Sequence, residues 1–233
     1  MVNDNDIRLS DDNQSYIING REYPRMTRVL EVGVPKPYLE VWRAKIGDEE
    51  ADRILYETSN AGSMVHLMTE LYDREDILGV KTLVTQNLWL VPYLWIWDEW
   101  RTRYTRPGGV TEIELVVWSE RLGIAGRLDR ILVMQGDEAA TIADIKTTKV
   151  LSNSIGIQLC GYREMVIDMI ERGELSPLSM PERTIVCHLP GPRDDDEEKG
   201  RVLERVKVKE YNPADYIEQL EDCVNQYKAL REE

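Results

Sequence analysis

Apolar and polar positions change period several times along the chain, and each change marks a different kind of element. The stretch SYIINGREYP at 15–24 alternates on both sides of an Asn-Gly pair, which predicts a tight hairpin. Thr27 then precedes Val29 and Leu30 as the cap of a short helix that Pro35 and Pro37 end. From Tyr38 to about Tyr72 the apolar spacing is helical, with interruptions at Gly47 and at Asn60-Ala61-Gly62. Two or three helices are therefore expected, with His66 on the last. The segment NLWLVPYLWIWDEWRTRY holds four of the six tryptophans and predicts a helix from Pro92 onward. Core packing is the ordinary use of such rings, and stacking of a base on one exposed ring is the alternative. After Pro107-Gly108-Gly109 the period falls to two, giving strands near 112–118, 123–133 and 139–146 that form an antiparallel meander. A helix from about Ser154 to Arg172, strands near 183–189 and 202–209, and a terminal helix from Asn212 complete an α/β order without internal repeats.

Composition narrows what such a chain does. It has 233 residues, 42% of them hydrophobic, and no run approaches the roughly 18 to 20 apolar residues of a membrane span. Its length suits one domain over 1–233, with an N-terminal hairpin and helical appendage over 1–60 and a core over 61–233. The opening MVNDNDIRLSDDNQ lacks the basic start and apolar centre of a secretory signal, so an intracellular protein is expected, with no membrane partner. Cys160, Cys187 and Cys223 are scattered without CxxC spacing and read as small buried apolar residues. The formal charge of −14 argues against a protein that coats nucleic acid without specificity. Part of that charge is local, in an acidic loop DDDEE at 194–198 and in the terminal helix. Basic residues cluster at Arg21, Arg25 and Arg28, at Arg101, Arg103 and Arg106, and at Lys146 and Lys149.

The chemistry concentrates on one hairpin. A turn centred between Gly136 and Asp137 sets Asp129 opposite Asp144, close enough for both carboxylates to hold one divalent cation. Side chains alternate along a strand, so Lys146 shares the face of Asp144 while Ile145 points into the core. Two carboxylates among LVM and ATI are costly unless a cation or a salt bridge to Lys146 relieves them. Glu114 on the preceding strand brings a third carboxylate to the edge of this site. His66 and Glu70 lie four apart on one helix face, and a neutral imidazole is a good further ligand. Gln158 and Tyr162 are likewise four apart, on the helix after the hairpin, within reach of a phosphate or base.

AGSMVHLMTE at 61–70, ELVVWSERLGIAGRLDRI at 114–131, ADIKTTK at 143–149 and QLCGY at 158–162 occur in the order of the PD-(D/E)XK nuclease superfamily. With PRMTRVLEVGVPKPYLEVWRAKIGDEEADRI at 24–54, the chain resembles the RecB-like and phage-type exonuclease branch, including phage and mitochondrial genome maintenance exonucleases. The resemblance implies a restriction-endonuclease-like αβββαβ core, in which a mixed central β-sheet with an antiparallel β-meander is flanked by helices. It implies a Mg²⁺- or Mn²⁺-dependent deoxyribonuclease, an exonuclease on single-stranded DNA or duplex ends. Asp129 and Asp144 become metal ligands, joined by His66 and the main-chain carbonyl of Ile145. Lys146 becomes the residue that activates the attacking water, and Glu114 the acid of the first core strand. Gln158 and Tyr162 match the QxxxY motif that supports the site and the DNA strand, and Arg127, Thr27 and Lys149 are the remaining candidate DNA contacts. Two departures are Asp144 in place of Glu, as in RecB-like members, and Arg127 where a small residue is usual. Opposite Lys146 by the hairpin register, Arg127 adds a phosphate contact or alters the local charge. The iron-sulfur exonucleases of this branch need four cysteines, which excludes such a cluster here. A single-strand annealing or recombination protein is the expected macromolecular partner.

Overall fold

The computed structural model describes residues 7–175, 180–190 and 205–232. β2 (Ser15–Ile18) and β3 (Arg21–Pro24) form the expected hairpin, in which Asn19 and Gly20 take φ of 50° and 77°, as a type I′ turn requires. A further strand, β1 (Ile7–Leu9), pairs with β2 and is too short for alternation to reveal. The helix α1 (Met26–Gly33) corrects the assignment of Thr27 as its cap. Arg25 occupies that position without a side-chain cap bond, and Thr27 lies exposed inside the first turn. Arg25 also bridges in parallel to Ala125, which fastens this small sheet to the main one.

Gly47, at φ 89°, separates α2 (Pro37–Ile46) from α3 (Asp48–Asp73), but Asn60-Ala61-Gly62 does not interrupt α3, a correction to the sequence reading. Asn and Gly cost a helix only about 1–2 kcal/mol together, less than burial of Val65, Met68 and Thr69 on the same helix returns. Gly62 is small for a reason of packing, since a Cβ there would lie 3.0 Å from the Thr147 hydroxyl on the loop after the meander. α4 (Ile77–Gln86), capped by Asp76 through the Gly79 amide, contains no buried residue, and Ile77 is 80% exposed. A 3₁₀ turn at Leu88–Leu90 leads into α5 (Val91–Tyr104), where Trp97 and Trp100 are buried and stacked while Trp89 and Trp95 face solvent.

The main sheet has five strands in the order β4-β5-β6-β7-β8. β4 (Thr105–Ser119), β5 (Ile124–Met134) and β6 (Ala140–Lys146) are the antiparallel meander. β4 starts earlier than the alternation suggests, because register shifts between Thr105 and Glu112 accommodate Pro107-Gly108-Gly109. α6 (Ile155–Glu171) crosses over to β7 (Arg183–His188), which lies parallel to β6, and β8 (Lys207–Tyr211) closes the sheet antiparallel. The terminal helix, α7 (Ile217–Glu232), follows a 3₁₀ turn at Pro213–Tyr216. The DDDEE segment and the first residues of the expected strand at 202–209 lie outside the described residues.

Helices cover both faces of the sheet. α1, α6 and α7 pack with Leu128, Ile131, Ile142 and Val186 on one face, and α3 and α5 with Leu132, Ala143, Ile145 and Cys187 on the other. The fold is thus a mixed α/β sandwich with the strand and helix order of a restriction-endonuclease-like core. All three cysteines are buried and free. Among the described residues no helix is long and apolar enough to cross a membrane.

Candidate active site

The β5–β6 turn is wider than two residues, since pairing begins at Val133–Ala140, yet it remains centred between Gly136 and Asp137. The register therefore follows the sequence reading and places Asp129 across from Asp144, one step beyond the last pair, Arg130–Ala143. The ladder stops there for a physical reason. Asp129 Oδ2 accepts the Ile145 amide at 2.6 Å, so a side chain takes the bond that a backbone carbonyl would otherwise make. Because the ladder has ended, Arg127 does not pair with Lys146. Its Nε instead lies 3.0 Å from Glu114 Oε2.

Both aspartates are buried. Asp144 Oδ2 carries no hydrogen bond and is held by an ion pair with Lys146 Nζ at 2.7 Å. Burial pushes the Asp144 carboxyl up, and the nearby Asp129 charge adds to this against the pull of Lys146. Burial also raises Asp129, but the adjacent His66, then Lys146 and the Ile145 amide, outweigh it and leave that carboxyl below the usual range. The His66 imidazole, with Nδ1 3.5 Å from Asp129 Oδ1, is pulled down by burial and raised further by Asp129. Lys146 behaves likewise: burial lowers it, and the two aspartates more than restore its charge.

Glu114 is closer to the centre than the sequence reading placed it. Ligand atoms of His66, Glu114 and Asp129 lie within 4.8 Å of one another, whereas Asp144 stands beside this trio with Lys146. Within β4, Glu114 has φ 53°, a left-handed conformation costing on the order of 1–2 kcal/mol for a non-glycine residue. Its neighbours Ile113 and Leu115 pair with β5 and Glu114 does not, so the distortion is confined to the residue that faces Asp129. Burial and Asp129 raise its carboxyl, opposed by Arg127 and Arg130.

A cleft of about 680 Å³ opens over these groups. Its walls are Thr58, Ser59, Gly62, Ser63 and Leu67 of α3 on one side and Arg25, Met26 and Thr27 on the other, with Asp129, Ile145, Lys146 and Tyr162 deeper. Tyr162 is buried behind the aspartates, and its phenol is raised well above the ordinary value by burial and then by those charges. Gln158 Nε2 donates to the Tyr162 hydroxyl at 3.2 Å and is not among the cleft-lining residues. Lys149 is exposed on the loop after β6 and also lies outside the lining. The structure thus brings together His66, Glu114, Arg127, Asp129, Ile145, Lys146, Thr27 and Tyr162, and leaves Gln158 and Lys149 set back. Glu70 lines the cleft with its carboxylate on Arg74.

Two charged residues escaped the sequence reading. The side chains of Arg130 and Asp73 are completely buried and form an ion pair at 2.7 Å between β5 and the end of α3. The available signal was a second charged residue, an arginine directly after Asp129, in the mostly apolar run LDRILVM.

The donor set suits a divalent cation. A histidine nitrogen and two carboxylates converge beside Asp144, which Lys146 holds, and imidazole and carboxylate donors grouped in this way favour a divalent cation. No curated protein sequence matches the chain. A solved structure titled "Crystal structure of SSO0001" is similar at 13% identity and a TM-score of 0.35, over 85% of this chain and 73% of that one. The model of one family matches residues 41–231, which include every acid, the histidine and the lysine of this cleft, and the chain belongs to that family, the PD-(D/E)XK nuclease superfamily of metal-dependent nucleases.

Proposed function

We propose that the chain is a Mg²⁺- or Mn²⁺-dependent deoxyribonuclease acting as an exonuclease on single-stranded or end-frayed DNA, in recombination, repair or phage genome processing. The observation that carries the metal-dependent part is the convergence of His66, Glu114 and Asp129 at the floor of a cleft that Lys146 also lines. His66, Glu114, Asp129, Asp144 and the Ile145 carbonyl would hold the cation. The cation supplies Lewis-acid polarisation of the scissile phosphate and stabilises the charge that develops on it. Lys146, charged and held by Asp144, orients the attacking water in line with the phosphorus. Arg127 and Thr27 on the rim contact the phosphate backbone, with Lys149 further out on the loop after β6. Tyr162 closes the back of the site, and Gln158 acts through the Tyr162 hydroxyl rather than on DNA.

The exonuclease assignment rests on the motif resemblance to phage and mitochondrial exonucleases, and so does the pairing with a single-strand annealing or recombination protein. The test uses end-labelled linear DNA, single- and double-stranded, beside circular DNA, with Mg²⁺ or Mn²⁺. Linear DNA should be degraded and circular DNA spared, and Asp129→Ala and Lys146→Ala should each lower the rate at least about 100-fold, the scale of losing one preorganised charge. Equal rates in wild type and variants would refute the catalytic site. Cutting of circles would refute the exonuclease assignment and leave hydrolysis standing.

A further inference from the structure

The groups that converge on the cation site come from three elements far apart in sequence: His66 from α3, Glu114 from β4 and Asp129 from β5. Something must fix those elements to one another. Arg130 is completely buried, and its guanidinium points to all three at once. Nε bonds Asp73 Oδ2 at 2.7 Å, and Nη2 bonds the Thr69 hydroxyl at 3.2 Å, both on α3. That hydroxyl in turn donates to the His66 carbonyl at 2.8 Å, which carries the contact to the turn bearing the imidazole. Nη1 reaches Glu114 Oε1 at 3.3 Å on β4 and the Asp129 carbonyl at 2.6 Å on β5. Asp73 is itself held from behind by Arg101 Nε at 2.7 Å and Trp97 Nε1 at 3.3 Å.

We propose that Arg130 is the positioning residue of the cation site, one guanidinium that locks α3, β4 and β5 in the arrangement where His66, Glu114 and Asp129 meet. The proposal rests on the reading of that trio as a metal site. Glu114 brings its carboxylate close to that of Asp129, a like-charge approach that needs counter-charge, and the buried Arg130 supplies it from within the fold while the exposed Arg127 supplies it from the rim. Arginine fits where lysine does not. Its planar fork aims separate N–H groups at four acceptors, whereas an ammonium on a flexible stem satisfies the charge of Asp73 without holding the other directions.

The experiment measures Mn²⁺ affinity of the full chain by calorimetry without DNA, for wild type, Arg130→Lys and Thr69→Val, with circular dichroism and melting curves as the check on folding. Loss of an outer partner of metal ligands lowers metal affinity about 10- to 100-fold. Arg130→Lys is expected in that range, and Thr69→Val, which cuts only the link to the His66 turn, nearer its lower end. Folded variants that bind Mn²⁺ as tightly as wild type overturn the proposal. If Arg130→Lys does not fold, Thr69→Val decides, because it keeps the buried charges paired. DNA cleavage is followed in parallel. A wild type that binds Mn²⁺ but leaves DNA intact overturns the nuclease reading alone, and one that binds no Mn²⁺ overturns both.

Discussion

Asp144 holds a buried carboxylate next to Asp129, and Lys146 compensates it, with a smaller contribution from His66. Replacing it by asparagine keeps the shape and removes the charge. In EDTA, Asp144→Asn is expected to melt below wild type, because it leaves the Lys146 ammonium buried without its ion-pair partner. Adding Mn²⁺ should raise the wild-type melting temperature and leave the variant nearly unmoved. Gly126 offers a second test at this scale. A Cβ there would lie 2.7 Å from Cε1 of the Tyr162 ring, with little freedom for a buried ring to retreat. Gly126→Ala should cost about 1–3 kcal/mol of stability, the usual range for overpacking, and lower cleavage by displacing Tyr162. An alanine variant with the wild-type melting temperature would show that the ring has room. The placement of Asp129, Asp144 and Lys146 was legible beforehand because each obeys a local rule, the two aspartates through hairpin register and Lys146 through alternation, whereas nothing marked Gly126. Arg130 was not legible, since its partners Asp73, Thr69 and Glu114 lie far away in sequence and nothing local announces them.

Among the elements, the meander and α6 followed from period and length, and the expected break at Asn60-Ala61-Gly62 failed because tertiary packing outweighs a small propensity penalty. α4 escaped the reading for a different reason. ILGVKTLVTQ is apolar enough to suggest a core segment, yet none of its residues is buried. Attachment of α6 to the meander can be probed at Asp168, whose carboxylate meets Arg172 Nη1 at 2.8 Å and the Arg121 amide at 3.4 Å on the β4–β5 turn. Burial raises this carboxyl, but the bond from Ser119, Arg172 and the Arg121 amide outweigh it, so the folded value lies below 3.8. A depressed folded value adds stability above the unfolded one and loses it as pH falls through the folded one. Asp168→Asn should therefore melt lower than wild type at pH 7, and the gap should close as the pH falls through the depressed folded value. A gap independent of pH would mean that the carboxylate charge contributes nothing.

Taken whole, the molecule carries −14 formal charges, and the cations lining its cleft are Arg25, Arg127 and Lys146. Such a protein engages few phosphates at once. For single-stranded DNA, about 0.7 counterions are released per neutralised phosphate, so the slope of log affinity against log salt should be near −2. A slope steeper than about −5, read from a fluorescence titration at several KCl concentrations, would require a basic surface beyond the cleft. Separation of the ligand-bearing segments has one more consequence, for the order in which the chain assembles. His66, Glu114 and Asp129 meet only after β4 has paired with β5 and α3 has docked on the sheet, so an unfolded chain holds no comparable site. A cation that binds only the assembled site is expected to act after the rate-limiting barrier to folding. In stopped-flow experiments Mn²⁺ should slow unfolding while leaving the refolding rate unchanged, which makes the metal a lock on the finished structure and not a template for building it.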